Sequence, residues 1–183
     1  MRAFIAIELP QELRNKISNF ILNLKKRNII DAKFVRTEQL HLTLKFLGEV
    51  QEQNIDKIKA VLEKIVSETK KFELQLKGLG HFNYRVLWIG GGSGQFETSK
   101  LASQLDAELS KLGFKEEQRP YTIHLTLARV KALKDRSAFQ KLLLRYAAEN
   151  FGAFVIDKVK LIKSVLTRTG PQYETIAEYR LQE

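Results

Sequence analysis

At 183 residues with no cysteine, the chain is long enough to bury about two-thirds of its unfolded surface in one domain or two intimate lobes. It excludes a disulfide framework, a thiolate nucleophile and a cysteine-built metal centre. Thirty-one Lys and Arg against twenty-one Asp and Glu leave a formal charge of +10, which favours a polyanionic partner such as nucleic acid over a membrane, for which no apolar stretch is long enough.

The opening run Met1 to Ile7 is shorter than the core of a secretory signal and is closed by Glu8, so a strand in a reducing, cytoplasmic protein is the expectation. Pro10 suits a first helical position, and Leu13, Ile17, Phe20, Ile21 and Leu24 recur at three- and four-residue spacing, which predicts a helix over about 10–27. A short extended piece, Lys33 to Val35, precedes a strand that starts near His41 and ends at Gly48. Ile55, Ile58, Val61, Leu62, Ile65 and Val66 predict a second helix over about 51–68. Two strands follow, one alternating through Phe72, Leu74 and Leu76, the other an apolar run over Val86 to Ile89.

The glycine-rich run Gly90 to Gly94 reads as a flexible connector in preference to a phosphate loop, because no Lys and Ser/Thr follow it in the required places. Leu101, Leu105, Leu109 and Leu112 predict a third helix stopped by Gly113. After a further strand near His124, a fourth helix is expected over about 134–148, then strands near 153–163 and 173–180.

Two tetrapeptides are alike, His41-Leu42-Thr43-Leu44 and His124-Leu125-Thr126-Leu127, and they lie 83 residues apart in a chain with three histidines. In a strand, residues i and i+2 share a face, so each His stands beside its Thr while the leucines point into a core. Each half reads helix, motif strand, helix, strand, strand, which is the order an internal duplication leaves. The expected architecture is therefore α+β and bilobal, with residues 1–183 forming a single domain. Two pseudo-twofold-related antiparallel sheets with outer helices would flank a central cleft carrying both motifs.

Imidazoles titrate nearest neutrality, so one of a pair can accept a proton while the other donates. Placed on opposite sides of a phosphorus atom, they suit phosphodiester hydrolysis, and each Thr hydroxyl can hold a non-bridging oxygen. A single His-x-Thr reads equally well as a strand cap beside a β-favouring residue; two copies favour the chemistry. Lys45 is in phase with His41 and Thr43 and would add charge to the groove, or merely reach solvent at a strand end. Arg129 is out of phase with His124 unless the strand bulges. Tyr121 and Tyr173 suit either base stacking or packing, and His81, with no Thr two places on, has no site role.

The run His41 to Gly48, together with Arg119-Pro120-Tyr121 leading to His124-Leu125-Thr126-Leu127-Ala128-Arg129, resembles the two-histidine (2H) phosphoesterase superfamily, whose signature is His-x-Thr-x twice. Within it, the chain is most similar to the RNA 2',3'-cyclic phosphodiesterases, long called 2'-5' RNA ligases. Met1 to Ile7, Arg85 to Trp88 and Gly170 to Tyr173 also fall where that family carries similar stretches, and Ile123 and Tyr84 stand where it usually has Pro.

The resemblance implies opening of a terminal 2',3'-cyclic phosphate in RNA to a 2'-phosphate, with reverse 2'-5' ligation open to the same machinery and no metal or nucleotide cofactor. His41 would be the proton donor and His124 the proton acceptor, with Thr43 and Thr126 on phosphate oxygens and Arg129 first among the phosphate helpers. The expected partner is an RNA end, tRNA fragments included, and the expected state is a monomer. Two rival readings are a non-catalytic RNA-binding module, which predicts salt-sensitive binding without product, and a phosphodiesterase for small cyclic nucleotides or ADP-ribose cyclic phosphate, which predicts faster turnover of the small substrates.

Overall fold

Apolar periodicity becomes structure along most of the chain in a computed structural model describing residues 1–183. β1 (Arg2–Glu8) leads into α1 (Gln11–Arg27), with Pro10 at the N-cap, not inside the first turn, and Asn28 closing the helix at φ 56°, a conformation Asn tolerates. β2 (Ile30–Phe34), a 3-10 turn at Thr37–Gln39 and β3 (His41–Glu49) follow. α2 (Ile55–Ser67), β4 (Phe72–Phe82), β5 (Val86–Gly91), α3 (Gln95–Ser110) and β6 (Leu125–Leu133) come next. α4 (Arg136–Arg145), β7 (Asn150–Ile156), β8 (Lys158–Thr167) and β9 (Gly170–Arg180) complete the chain.

The strands form two antiparallel sheets, in the orders β3-β1-β8-β9 and β2-β6-β5-β4-β7. Setting β2 aside, the two orders correspond, each beginning with the strand that carries a motif. The halves of the sequence do not coincide with the sheets. β4 and β5, which follow the first motif, join the sheet of the second, while β8 and β9 return to the sheet of the first. α1 likewise leaves the first sheet and packs Phe20 edge-on against Tyr146 and Phe151, at 5.0 Å from each ring. A cluster of 41 buried residues runs through both sheets, so the lobes share a core. No helix is long and apolar enough to cross a membrane.

Three expectations need correction. The strand expected over 153–163 is two: β7 pairs with β4 in the second sheet and β8 with β1 in the first, and the chain changes sheet at Asp157. Only Asp157 and the lysines that follow it interrupt the apolar residues there, and no Gly or Pro marks the break. The glycine run is not a slack connector. β5 extends through Gly90 and Gly91, the Gly92 amide donates to the Gln75 carbonyl, and the Gln75 amide donates to the Ser93 carbonyl, both at 2.8 Å. A Cβ at Gly92 would lie 2.2 Å from Gln75 Oε1, and one at Gly94, whose φ is +90°, 2.1 Å from the Glu73 carbonyl oxygen. Those glycines are there for close approach to β4. Finally, β6 begins at Leu125, one residue after the histidine expected to start it.

Candidate active site

Each motif sits beside a β-bulge, and the two bulges are the same. In β3, Thr43 faces Ala6 and Lys45 faces Ile5, so Leu44 is the extra residue. In β6, Thr126 faces Trp88 and Ala128 faces Leu87, so Leu127 is the extra residue. An unpaired residue shifts the alternation of everything beyond it. Burial follows that shift: the histidine and threonine of each motif are half-buried, both leucines are buried, the next residue (Lys45 or Ala128) is also buried, and the one after it (Phe46 or Arg129) is exposed.

Lys45 therefore does not share the face of His41 and Thr43. Its side chain is 2% exposed and pairs with Asp106 at 2.5 Å, and its ammonium also donates to the Lys115 carbonyl at 2.6 Å. The expectation of a groove cation there fails because the bulge lies between Thr43 and Lys45. The same device in β6 brings Arg129, two-residue parity notwithstanding, onto the exposed face.

β3 and β6 approach within 8 Å between Cα atoms, and one hydrogen bond joins the first motif to the segment that leads into the second. The Tyr121 hydroxyl donates to the Thr43 carbonyl at 2.7 Å, and burial pushes the phenol's pKa well above its ordinary value. Tyr121 is thus committed to a structural bond, and its hydroxyl is not free for substrate.

The two histidines face corresponding backbone positions but are held differently. His124 Nδ1 lies 3.0 Å from the Thr122 carbonyl, two residues back; with the proton on Nδ1, Nε2 is left as the acceptor. His41 Nδ1 is buried without a hydrogen bond of good geometry, although the backbone of Gln39, also two residues back, favours the protonated ring. Burial outweighs that help and, with the nearby Arg14 and Lys160, holds the His41 pKa below the ordinary imidazole value, while Glu8 opposes the shift. Glu8 is the cross-strand partner of His41. Burial pushes its own pKa upward, but the Lys160 ion pair and Arg14, 3.4 Å away, bring it below the usual carboxylate range. A cavity of about 410 Å³ opens at this end, with Glu8, Arg14, Lys158 and Lys160 in its wall.

Each imidazole also has an aromatic ring edge-on against it: Tyr173 at 5.4 Å from His41 and Phe82 at 5.1 Å from His124. Tyr173 is 37% exposed, and burial raises its pKa while the Arg129 charge lowers it. His41 and Thr43 on β3, and Thr126 and Arg129 on β6 with His124 just before it, thus sit on strands that approach each other, and Tyr173, against His41 and within reach of the Arg129 charge, links the two ends of the candidate site. His81 lies outside it, its Nδ1 accepting the Tyr84 amide at 2.9 Å in the β4–β5 turn. Sequence reasoning missed Phe46, Phe82 and Glu8. Phe46 was findable, because it stands five residues after its histidine, as Arg129 does.

Comparison with known proteins agrees with this architecture. The family model of the 2'-5' RNA ligase superfamily matches residues 10–168. The RNA 2',3'-cyclic phosphodiesterase of Methanocaldococcus jannaschii is 38% identical, over 98% of this chain and 100% of its own. That of Thermotoga maritima is 36% identical, over 100% and 96%. Among solved structures, a Thermus thermophilus protein superposes with a TM-score of 0.82 at 27% identity, covering 99% of this chain and 98% of that one. E. coli LigT complexed with 3'-AMP shares the fold, with a TM-score of 0.80 at 24% identity over 100% and 98%. On the family match and the identity to these full-length relatives, the chain belongs to the 2'-5' RNA ligase superfamily.

Proposed function

We propose that the protein hydrolyses RNA 2',3'-cyclic phosphate ends to 2'-phosphomonoesters. The observation that carries this reading is the pair of identically bulged motif strands, β3 and β6, which approach each other and are tied by the Tyr121 to Thr43 bond. The relatives named as RNA 2',3'-cyclic phosphodiesterases support it. Residues 1–183 act as a single bilobal unit arising by internal duplication, with both imidazoles supplied by one chain, so a monomer suffices.

In the proposed reaction His124 takes a proton from water as the water oxygen bonds to phosphorus. The bond from phosphorus to the 3' oxygen breaks, and His41 gives that oxygen a proton, leaving a 3'-hydroxyl and a 2'-phosphate. The proton gained by one ring and lost by the other is exchanged through solvent. Each transfer contributes about 10²- to 10⁴-fold in rate. Thr43 and Thr126 donate to non-bridging oxygens and keep the attack in line, and Arg129 adds positive charge at the phosphate. The depressed pKa of His41 leaves its ring largely neutral in the free protein at pH 7, and the arriving anion is what favours its protonated form. A ring kept neutral also suits a base, so the reverse assignment of the two histidines is the second reading. With a 5'-hydroxyl in place of water, the reverse reaction makes a 2'-5' linkage. RNA ends in the cytoplasm, tRNA fragments included, are the substrates we assign.

The test is an RNA oligomer ending in 2',3'-cyclic phosphate, incubated in EDTA. Conversion to a 2'-phosphate end supports the proposal. Salt-sensitive binding without any product, or turnover confined to mononucleotides, refutes it.

A further inference from the structure

Next to Arg129 the surface carries further cations that the proposed chemistry does not use. Lys33, on β2, is the cross-strand partner of Arg129 on β6, so the two side chains leave the same face of neighbouring strands about 4.8 Å apart. Like charges placed directly opposite cost stability, and neither cation has a carboxylate within 4.0 Å.

A third cation joins them from a different element. The β8–β9 hairpin reaches across from the other sheet, tied down by the Gln39 amide donating to the Pro171 carbonyl at 3.0 Å. At its tip, a side chain built on Gly170 would point to Arg36 Nη2 at 3.8 Å and Lys33 Nζ at 3.9 Å. Arg36 has one exposed ion pair, to Glu38 at 3.3 Å. Arg168 stands exposed in the same hairpin. Lys33 and Arg36 thus converge beside Gly170, and Arg129 stands across the strand from Lys33, so the three form a row. Tyr173, three residues past Gly170, leads from there to His41, whose ring lies 5.4 Å away.

We infer that Lys33 and Arg36 form a binding track for the phosphodiester backbone of the strand that precedes the reacting end. This rests on the reading of the groove as a site for RNA ends. Lys33 and Arg129 have no carboxylate partner and Arg36 has only its exposed pair to Glu38, so the three cations repel one another in the free protein and an anionic strand relieves that repulsion. A single phosphate at the reacting centre would not need charges as far out as β2. A polynucleotide, whose charges repeat along its length, matches a row running from β6 through β2 to the Arg36 loop. The track makes affinity depend on strand length and on salt.

The decisive measurement is equilibrium binding, by fluorescence anisotropy, of a single-stranded RNA octamer carrying the product-like 2'-phosphate end, alongside a nucleoside 2'-phosphate competitor. Lys33→Gln with Arg36→Gln should weaken octamer binding about tenfold at about 50 mM salt and reduce the slope of log affinity against log salt by about 1.4, since each of the two single-strand phosphate contacts contributes roughly 0.7. The ratio of octamer to nucleotide affinity should fall with it. Lys33→Arg with Arg36→Lys should retain slope and ratio, which separates charge from folding. An unchanged slope, or equal losses for octamer and nucleotide, overturns the inference. Because binding of the product end needs no turnover, failure of the wild type to hydrolyse RNA would refute the proposed function and leave this result to be judged separately.

Discussion

Phe46 and Arg129 occupy the same place in two strands. Each stands five residues past a motif histidine, and each is turned outward by a one-residue bulge, at Leu44 in one strand and Leu127 in the other. The backbone repeat is kept while the side-chain repeat is broken. One lobe presents an apolar ring, 63% exposed, and the other a guanidinium, so the two motif strands are not chemically symmetric.

Arg129→Gln should lower kcat/KM on a cyclic-ended oligomer by about tenfold or more, the scale of one charge-assisted hydrogen bond. Arg129→Lys should recover only part of it, because an ammonium lacks the planar fork. Steady-state kinetics at fixed salt reads both. Full activity in Arg129→Gln would remove the residue from the site.

His41 should titrate below the ordinary imidazole value in the free protein, since burial disfavours its charged form. A nucleoside 2'-phosphate in the groove should move the midpoint upward, as an adjacent anion favours imidazolium. The unfolded chain binds this proton more readily, so the contribution of His41 to stability is intact above about pH 6.5 and is lost as pH falls through the folded value. NMR titration of the ring with and without the nucleotide measures both midpoints. A midpoint unmoved by the nucleotide contradicts the placement.

Tyr121→Phe should cost about 1 kcal/mol of stability by leaving the Thr43 carbonyl without its donor. It should also lower kcat, because that bond sets the first motif against the segment leading into the second. Thermal melts and kinetics on the same preparation separate the two effects. A variant with unchanged kcat would show that the motifs hold their relation without this bond.

Lys45→Met should destabilise the fold by about 3 kcal/mol, because it leaves Asp106 facing an apolar side chain. If the fold survives, affinity for an RNA end should be unchanged. Weakened RNA binding by folded Lys45→Met would reinstate the groove role that the bulge denies it.

The motifs, the four helices and most strands were legible because periodicity and spacing report them directly. His41 with Thr43 and His124 with Thr126 needed only the two-residue alternation of a strand. Lys45 and Arg129 fell on the wrong side of that rule together, for one reason: a bulge at a leucine leaves no mark in composition, and it reverses phase for the residues just beyond it. The exchange of β4 and β5 with β8 and β9 between lobes was hidden because pairing partners far apart in the chain leave no local pattern. The Gly92 and Gly94 positions misled because glycine serves slack and close approach equally well.

The account turns on two imidazoles with opposite duties at one phosphorus atom, and the pH dependence of kcat/KM on a cyclic-ended RNA oligomer tests that most directly. The wild type should give a bell, His124→Ala a slow residual rate without the acidic limb, and His41→Ala one without the alkaline limb. A His41→Ala, His124→Ala double variant that turns over the oligomer as fast as the wild type would contradict the account.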